Sequence, residues 1–266
     1  MQNFAILQTI VRSLFSDSVM GAWQDSLRDQ MGSLIQSTAK RNIMGEALSG
    51  KTRSDAAMLR QASRNVSEAE SMMSLASEGS GNVKKLLLEA KDLVEKYQAS
   101  SDPTEQSQLE AQYNGLKSNI DNIIKNTNYN GISLLDGDKW ARDSRINVAA
   151  DQSSGSVQIY AGNSGFDLSL SNTRKSIYQP LDALNISDAN ATDRLSEMAT
   201  TAGMMSEAYA QRASSLKGQA ASLDRQGSIL DEVAANQTSR PQGGNLQDIL
   251  VDLAMRDRGT IISGKG

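Results

Sequence analysis

The chemistry open to a chain depends first on its nucleophiles, bases and metal ligands, and this sequence of 266 residues has no histidine and no cysteine. Ser-His-Asp and Cys-His catalysis, zinc held by imidazole or thiolate, haem ligation by His and iron–sulfur clusters are therefore excluded. Carboxylate, lysine, serine and phosphate-loop chemistry remain. One such pattern is matched, because Gly45-Glu46-Ala47-Leu48-Ser49-Gly50-Lys51-Thr52 satisfies the phosphate-loop expression. In that motif glycines let backbone N–H groups wrap phosphate, Lys reaches the outer phosphates and Thr holds magnesium. The motif needs a buried β-strand just before it, whereas the residues ahead of Gly45 continue an amphipathic helical pattern. Ile249-Leu250-Val251-Asp252 imitates the apolar run ending in Asp that holds magnesium, but its neighbours also read as helix. A nucleotide-binding enzyme using Lys51 and Thr52 is thus the alternative of a different class.

Other candidates are weaker. Gly79-Ser80-Gly81-Asn82-Val83-Lys84 has two of the three dinucleotide-loop glycines and lies within a helical pattern, so it reads as a kink. The pairs Glu68/Glu70 and Asp136/Asp138 belong to a chain with 31 acidic residues and read as solvated or turn acids. Met72, Met73, Met198, Met204 and Met205 read as core filling, and Trp23 and Trp140 as interface anchors or helix-packing residues. No catalytic residue, metal ligand or cofactor site is assigned.

The elements that carry these residues follow from composition and period. Only 4% of residues are aromatic and three are proline, and the apolar content is Ala, Leu, Ile, Val and Met, which suits long helices packed side by side. A net charge of −4 provides no basic field for nucleic acid. No run of about 18 apolar residues marks a membrane span. Met1-Gln2-Asn3-Phe4 lacks the charged region of a Sec-type signal, so export would use another route.

From residue 4 to 35, Leu7, Val11, Leu14, Met20, Trp23, Leu27, Met31 and Leu34 fall mostly three or four apart, as on an amphipathic helix. Gly45, Gly50 and Ser54-Asp55 predict a loop or junction at 45–55. A helix of more than forty residues is expected from Asp55 through Ala62, Val66, Ala69, Met72, Met73, Ala76, Val83, Leu86, Ala90, Leu93 and Tyr97. Asp102, Pro103 and Glu105 spell a capping box with proline at the first helical position. Leu109, Tyr113, Leu116, Ile120 and Ile124 then continue a second, antiparallel helix. Turn residues follow at 126–137, and alternating runs at Ile146/Val148, Val157/Ile159 and Phe166/Leu168/Leu170 predict a small β-hairpin or meander. In a last long helix, Leu195, Ala202, Tyr209, Leu216, Leu223 and Leu230 lie seven apart, beside Ala199, Ser206, Ala213, Ala220, Gly227 and Ala234. A large residue next to a small one in each heptad describes a seam into which another helix sinks, and these six large positions are the candidate subunit-packing residues. Ser239-Arg240-Pro241-Gln242-Gly243-Gly244 breaks the pattern, and Leu246, Ile249, Leu250 and Leu253 form a last amphipathic piece.

The expected fold is mainly α: long antiparallel helices in a rod-like coiled-coil bundle with a small β-hairpin or meander insert. Five segments are expected: an amphipathic terminal helix at 1–44, the first half of the helical rod at 45–138, a β-hairpin region at 139–180, the long C-terminal helix at 181–238 and an amphipathic terminal segment at 239–266.

The sequence from Asn126 to Gly137 contains Asn128, Tyr129, Asn130, Gly131, Leu134, Leu135 and Gly137 in an order similar to the Thr-x-Phe/Tyr-Asn-Gly-x-x-Leu-Leu-x-Gly turn of bacterial flagellins. Upstream, Arg53-Ser54-Asp55-Ala56-Ala57, Gln61-Ala62-Ser63-Arg64-Asn65 and Ala76-Ser77-Glu78-Gly79 resemble further stretches of that family, which includes the hook–filament junction proteins. The clear resemblance covers 48–137 and a weaker one covers 189–236. It implies a short, core-only flagellin: a non-enzymatic structural subunit of the bacterial flagellar filament, serving motility. It implies export through the flagellar type III apparatus with a chaperone, secretion to the flagellum, and self-assembly with copies of itself and other flagellins, without cofactor, nucleic acid or membrane insertion. A hook–filament junction or minor component is the alternative within the family. The resemblance also puts Leu48-Ser49-Gly50 where flagellins carry a Leu-Ser-Ser-Gly stretch, which absorbs the phosphate-loop match. Residues 1–35 and Gly259–Gly266 depart from the usual flagellin ends. Glu89 and Gln112 stand where many flagellins carry residues sensed by a vertebrate innate-immune receptor, so weak or no recognition is implied.

Overall fold

The computed structural model describes residues 44–239, with the exception of residue 163. The amphipathic stripes expected at 4–35 and 246–253, and Trp23, lie outside the described residues.

Helix α1 spans Met44–Ala99. It runs through 45–55, where the sequence predicts a loop; a helical glycine costs only about 1 kcal/mol, and no proline interrupts the segment. Its buried face has two heptad lines, Ala62, Ala69, Ala76, Val83, Ala90 and Val66, Met73, Ser80, Leu87, Val94. The expectation centred on Leu86 and Leu93 is therefore one residue out. Both are half-buried, while Leu87 and Val94 are wholly buried. The second line passes through a polar residue, Ser80, which hides its continuity from a search for apolar spacing.

Helix α2, Pro103–Asn126, begins as predicted, with Asp102 accepting from the Thr104 N–H at 2.8 Å and proline in the first turn. The expected reciprocal arm of the capping box differs. Glu105 accepts from the Ser100 hydroxyl at 2.6 Å, and the same hydroxyl accepts from the Asp102 N–H at 3.2 Å. Leu109, Tyr113, Ile120 and Ile124 are buried along α2. Strands β1 (Asn128–Tyr129) and β2 (Ile132–Ser133) follow, then a 3-10 helix at Gly137–Arg142. Strands β3 (Ile146–Val148), β4 (Ser154–Ala161) and β5 (Ser164–Ser171) form a sheet in the order β3-β4-β5. Strand β3 pairs antiparallel with β4, with Ile146 opposite Val157. A π-helical turn at Arg174–Tyr178 leads into the short α3, Gln179–Asp182, and helix α4 spans Ala191–Ser239.

The described residues form two compact units. One contains Val66–Tyr160 and Gly165–Gly218; the other contains 44–65, 161–164 and 219–239. Within the first, α1 and α4 are antiparallel: Ser77 meets Ser206, and further along α1 Lys84 lies over Gly203. Two serines tie the helices reciprocally, each hydroxyl donating to the other residue's backbone carbonyl at 2.8 Å. Within the second unit the same sense holds, because Ser63 donates to the Ala220 carbonyl at 2.8 Å and Arg60 pairs with Asp231. The architecture is thus mainly helical, with long helices packed together and a small antiparallel sheet inserted.

Candidate functional site

The heptad positions of α4 are placed first. Leu195, Ala202, Tyr209 and Leu216 are wholly buried in the first unit, Leu223 is buried in the second, and Leu230 is half-buried. The small residues beside them, Ala199, Ala213, Ala220, Gly227 and Ala234, are also buried. These side chains are covered by the chain itself. Tyr209 uses its one polar atom, since its hydroxyl accepts from the Ser171 N–H at 2.7 Å and so ties β5 to α4. Burial pushes the Tyr209 phenol pKa up, which keeps it neutral.

The turn motif forms the second cluster. Tyr129 pairs with Ile132 across a two-residue loop in which Asn130 and Gly131 have φ values of 49° and 79°. Two positive φ values in such a loop define the type I′ turn that Asn-Gly favours. The Leu134 N–H donates to the Thr127 carbonyl at 3.0 Å, and both Leu134 and Leu135 are wholly buried. The Leu135 carbonyl accepts from the N–H groups of Thr173 and Arg174 at 3.1 and 3.3 Å. A Cβ on Gly137 would lie 2.1 Å from the Asn172 amide nitrogen, so any other residue here would displace the Asn172 side chain. Its N–H donates to the Asn172 side-chain oxygen at 3.2 Å. The motif therefore places two leucine plugs and then lets Asn172 approach.

Arg174 closes the cluster and has no counterpart in the sequence analysis. Its Nε donates to Asp136 at 2.6 Å and a terminal nitrogen donates to Asp121 at 2.7 Å, with the guanidinium 5.0 Å from the Tyr178 ring centre. Arg174 is 8% exposed and Asp136 2%, so the expectation that Asp136 is a solvated turn acid is corrected: the buried guanidinium is its counter-charge. Burial alone would raise the Asp121 pKa, but hydrogen bonds from Lys125 and Arg174 hold it below the ordinary carboxylate value. Burial alone would likewise lower the Arg174 pKa, and the bonds to Asp136 and Asp121 raise it instead. The sequence signal for this cluster is faint: one Arg directly after the last strand, and one Asp just before a turn glycine.

Trp140 is buried and donates its indole N–H to the Ser133 carbonyl at 2.8 Å, which is a core role. Met72, Met73, Met198 and Met205 are buried, while Met204 is exposed. Glu89 and Gln112 are exposed on α1 and α2. Gly45–Thr52 is helical, and from Leu48 onward its backbone N–H groups are directed to carbonyls four residues back rather than into a phosphate cradle. Among the described residues no group of three or more acidic side chains is arranged to hold a metal ion, and no helix is long and apolar enough to cross a membrane.

Residues 23–139 match the family model described as the bacterial flagellin N-terminal helical region, which supports a flagellin-family protein. The crystal structure of Bacillus cereus flagellin is similar at 22% sequence identity, covering 68% of this chain and 90% of that one, with a TM-score of 0.38. No curated protein matches. Flagellins are exported structural proteins that polymerise with themselves into the extracellular filament of the bacterial flagellum.

Proposed function

We propose that this chain is the main subunit of its filament, rather than a hook–filament junction or minor component. In this reading it leaves the cell through the flagellar type III apparatus with a chaperone, and it polymerises by helix packing at its two ends. The supporting observation is that Leu195, Ala202, Tyr209, Leu216 and Leu223 are already covered by the chain's own residues. Subunit packing then falls to other surfaces, and this reading gives it to the apolar stripes at 4–35 and 246–253. A single amphipathic helix is marginal in water, and docking against a neighbour buries its stripe. The six heptad positions of α4 act in this reading through the subunit's own core.

The test is the protein composition of purified filaments. A main subunit accounts for most of the filament mass, and filaments disappear from cells lacking it. If another flagellin dominates and this chain sits at low copy number near the hook, the reading is overturned in favour of a junction component.

A further inference from the structure

Asparagine followed by glycine is the peptide pair most prone to spontaneous deamidation, because the unhindered glycine nitrogen reaches the side-chain amide carbon. The sequence has two such pairs, Asn114-Gly115 and Asn130-Gly131. All four residues are exposed. We infer that Asn130 is the residue at which the folded chain deamidates, that the fold holds this reaction back, and that Asn114 is held back further.

In the reaction the Gly131 nitrogen, losing its proton, attacks the Asn130 side-chain carbonyl carbon, and the amide nitrogen leaves as ammonia. The resulting five-membered imide takes up one water at either carbonyl and opens to aspartate or to isoaspartate. One water enters and one ammonia leaves, with no change of oxidation state.

Attack requires the backbone at the asparagine to swing the next nitrogen toward the side chain. At Asn130 the left-handed conformation, φ 49°, keeps it elsewhere, and the conformation is held by the Tyr129–Ile132 pair and by Arg145, which donates to the Asn130 carbonyl at 3.1 Å. At Asn114 the helical backbone of α2 does the same. The two restraints differ in strength. The β1–β2 ladder is two residues on each side and its loop is exposed, whereas Asn114 lies mid-helix beside the buried Tyr113. Short, solvent-exposed ladders open locally more often than the middle of a packed helix.

The product also matters. Isoaspartate routes the main chain through the former side chain, adding a carbon to a two-residue loop that has no slack. Loss of the turn removes the register that directs the Leu134 N–H to Thr127. Direct conversion to aspartate keeps the turn.

The experiment is peptide mapping by mass spectrometry, with enzymatic labelling of isoaspartate, on the full chain held at mildly alkaline pH with and without urea. In urea both asparagines convert at similar rates. In the folded chain Asn130 converts about tenfold more slowly or less, as expected when reaction waits on local opening, and Asn114 more slowly still. Arg145→Leu, which removes the donor to the Asn130 carbonyl, speeds conversion at Asn130 and leaves Asn114 unchanged. Equal rates with and without urea, or Asn114 reacting first in the folded chain, overturn the inference. Circular dichroism of Arg145→Leu separates loss of this one restraint from general unfolding, since unfolding would speed both sites together.

Discussion

Arg174 is the residue whose removal leaves the most behind. Asp136 in the turn cluster and Asp121 on α2 bond to it, Asp138 lies 3.7 Å away, and Asp136 has almost no contact with water. Deleting one partner of a buried pair typically costs about 3–5 kcal/mol, an upper range here because Lys139 stays 3.7 Å from Asp136 and Lys125 stays paired with Asp121. Arg174→Met is therefore expected to lower the melting temperature by roughly 6–20 °C, at about 2–4 °C per kcal/mol for a chain of this size class. The double variant Arg174→Met/Asp136→Asn should recover part of that loss, and thermal unfolding of both proteins checks it. A pH effect follows from Asp121, whose carboxyl lies below its ordinary value in the folded chain. As pH falls, the unfolded chain takes up this proton first. The contribution is thus complete above the ordinary carboxylate value of about 4 and is lost as pH drops through the lower folded value. Urea unfolding between neutral pH and pH 3 should show stability falling at the acid end, with a shallower fall in Asp121→Asn. A matching slope in that variant would remove Asp121 from the account.

At the scale of elements, what could be read from the sequence depended on whether the signal was local. The α2 start, the three strands and the α4 heptads all carry their signal in side-chain type and spacing, and each lies where that signal puts it. Two misplacements on α1 have separate causes. Gly45 and Gly50 look like breakers, yet the helix continues through both, because propensity is a small term that neighbouring turns outweigh. Ser80 interrupts an otherwise apolar line, so the sequence favours Leu86 and Leu93 over the truly buried Leu87 and Val94. The Arg174 cluster was illegible for a different reason. Its members are separated by 53 and 38 positions, and no local period links them. The Ser77–Ser206 pair gives an element-scale prediction. Ser77→Ala and Ser206→Ala should each cost about 1 kcal/mol, and the double variant less than the sum, since each hydroxyl donates to the other residue's carbonyl and the two lie 3.3 Å apart. Additive losses in a double-mutant cycle of urea unfolding would show that the two bonds act separately.

For the whole molecule, substitutions divide into those that damage the subunit and those that damage the polymer. Leu216 is wholly buried on α4, and Leu216→Asp buries an unpaired carboxylate, which should unfold or severely destabilise the chain. Leu14→Asp changes a stripe that the proposed function gives to neighbouring subunits. In that reading it reduces filament formation while the monomer still unfolds cooperatively. Sedimentation of polymer beside thermal unfolding of monomer distinguishes the two. Leu14→Asp protein that still polymerises normally would move the subunit contact away from residues 4–35.

The reciprocal serine bonds also solve an ambiguity built into any seven-residue repeat. Sliding α4 along α1 by seven residues would again set Leu against Ala and would lose little apolar burial. It would bring Ala199 or Ala213 to the position of Ser206, so the Ser77 carbonyl would lose the hydroxyl that donates to it and the Ser77 hydroxyl would lose its neighbouring hydroxyl. A polar pair at one place in an apolar repeat thus selects one alignment among near-equals, as a single buried polar residue does in a coiled coil. Two small hydroxyl groups act here as an index mark that tells identical-looking turns apart.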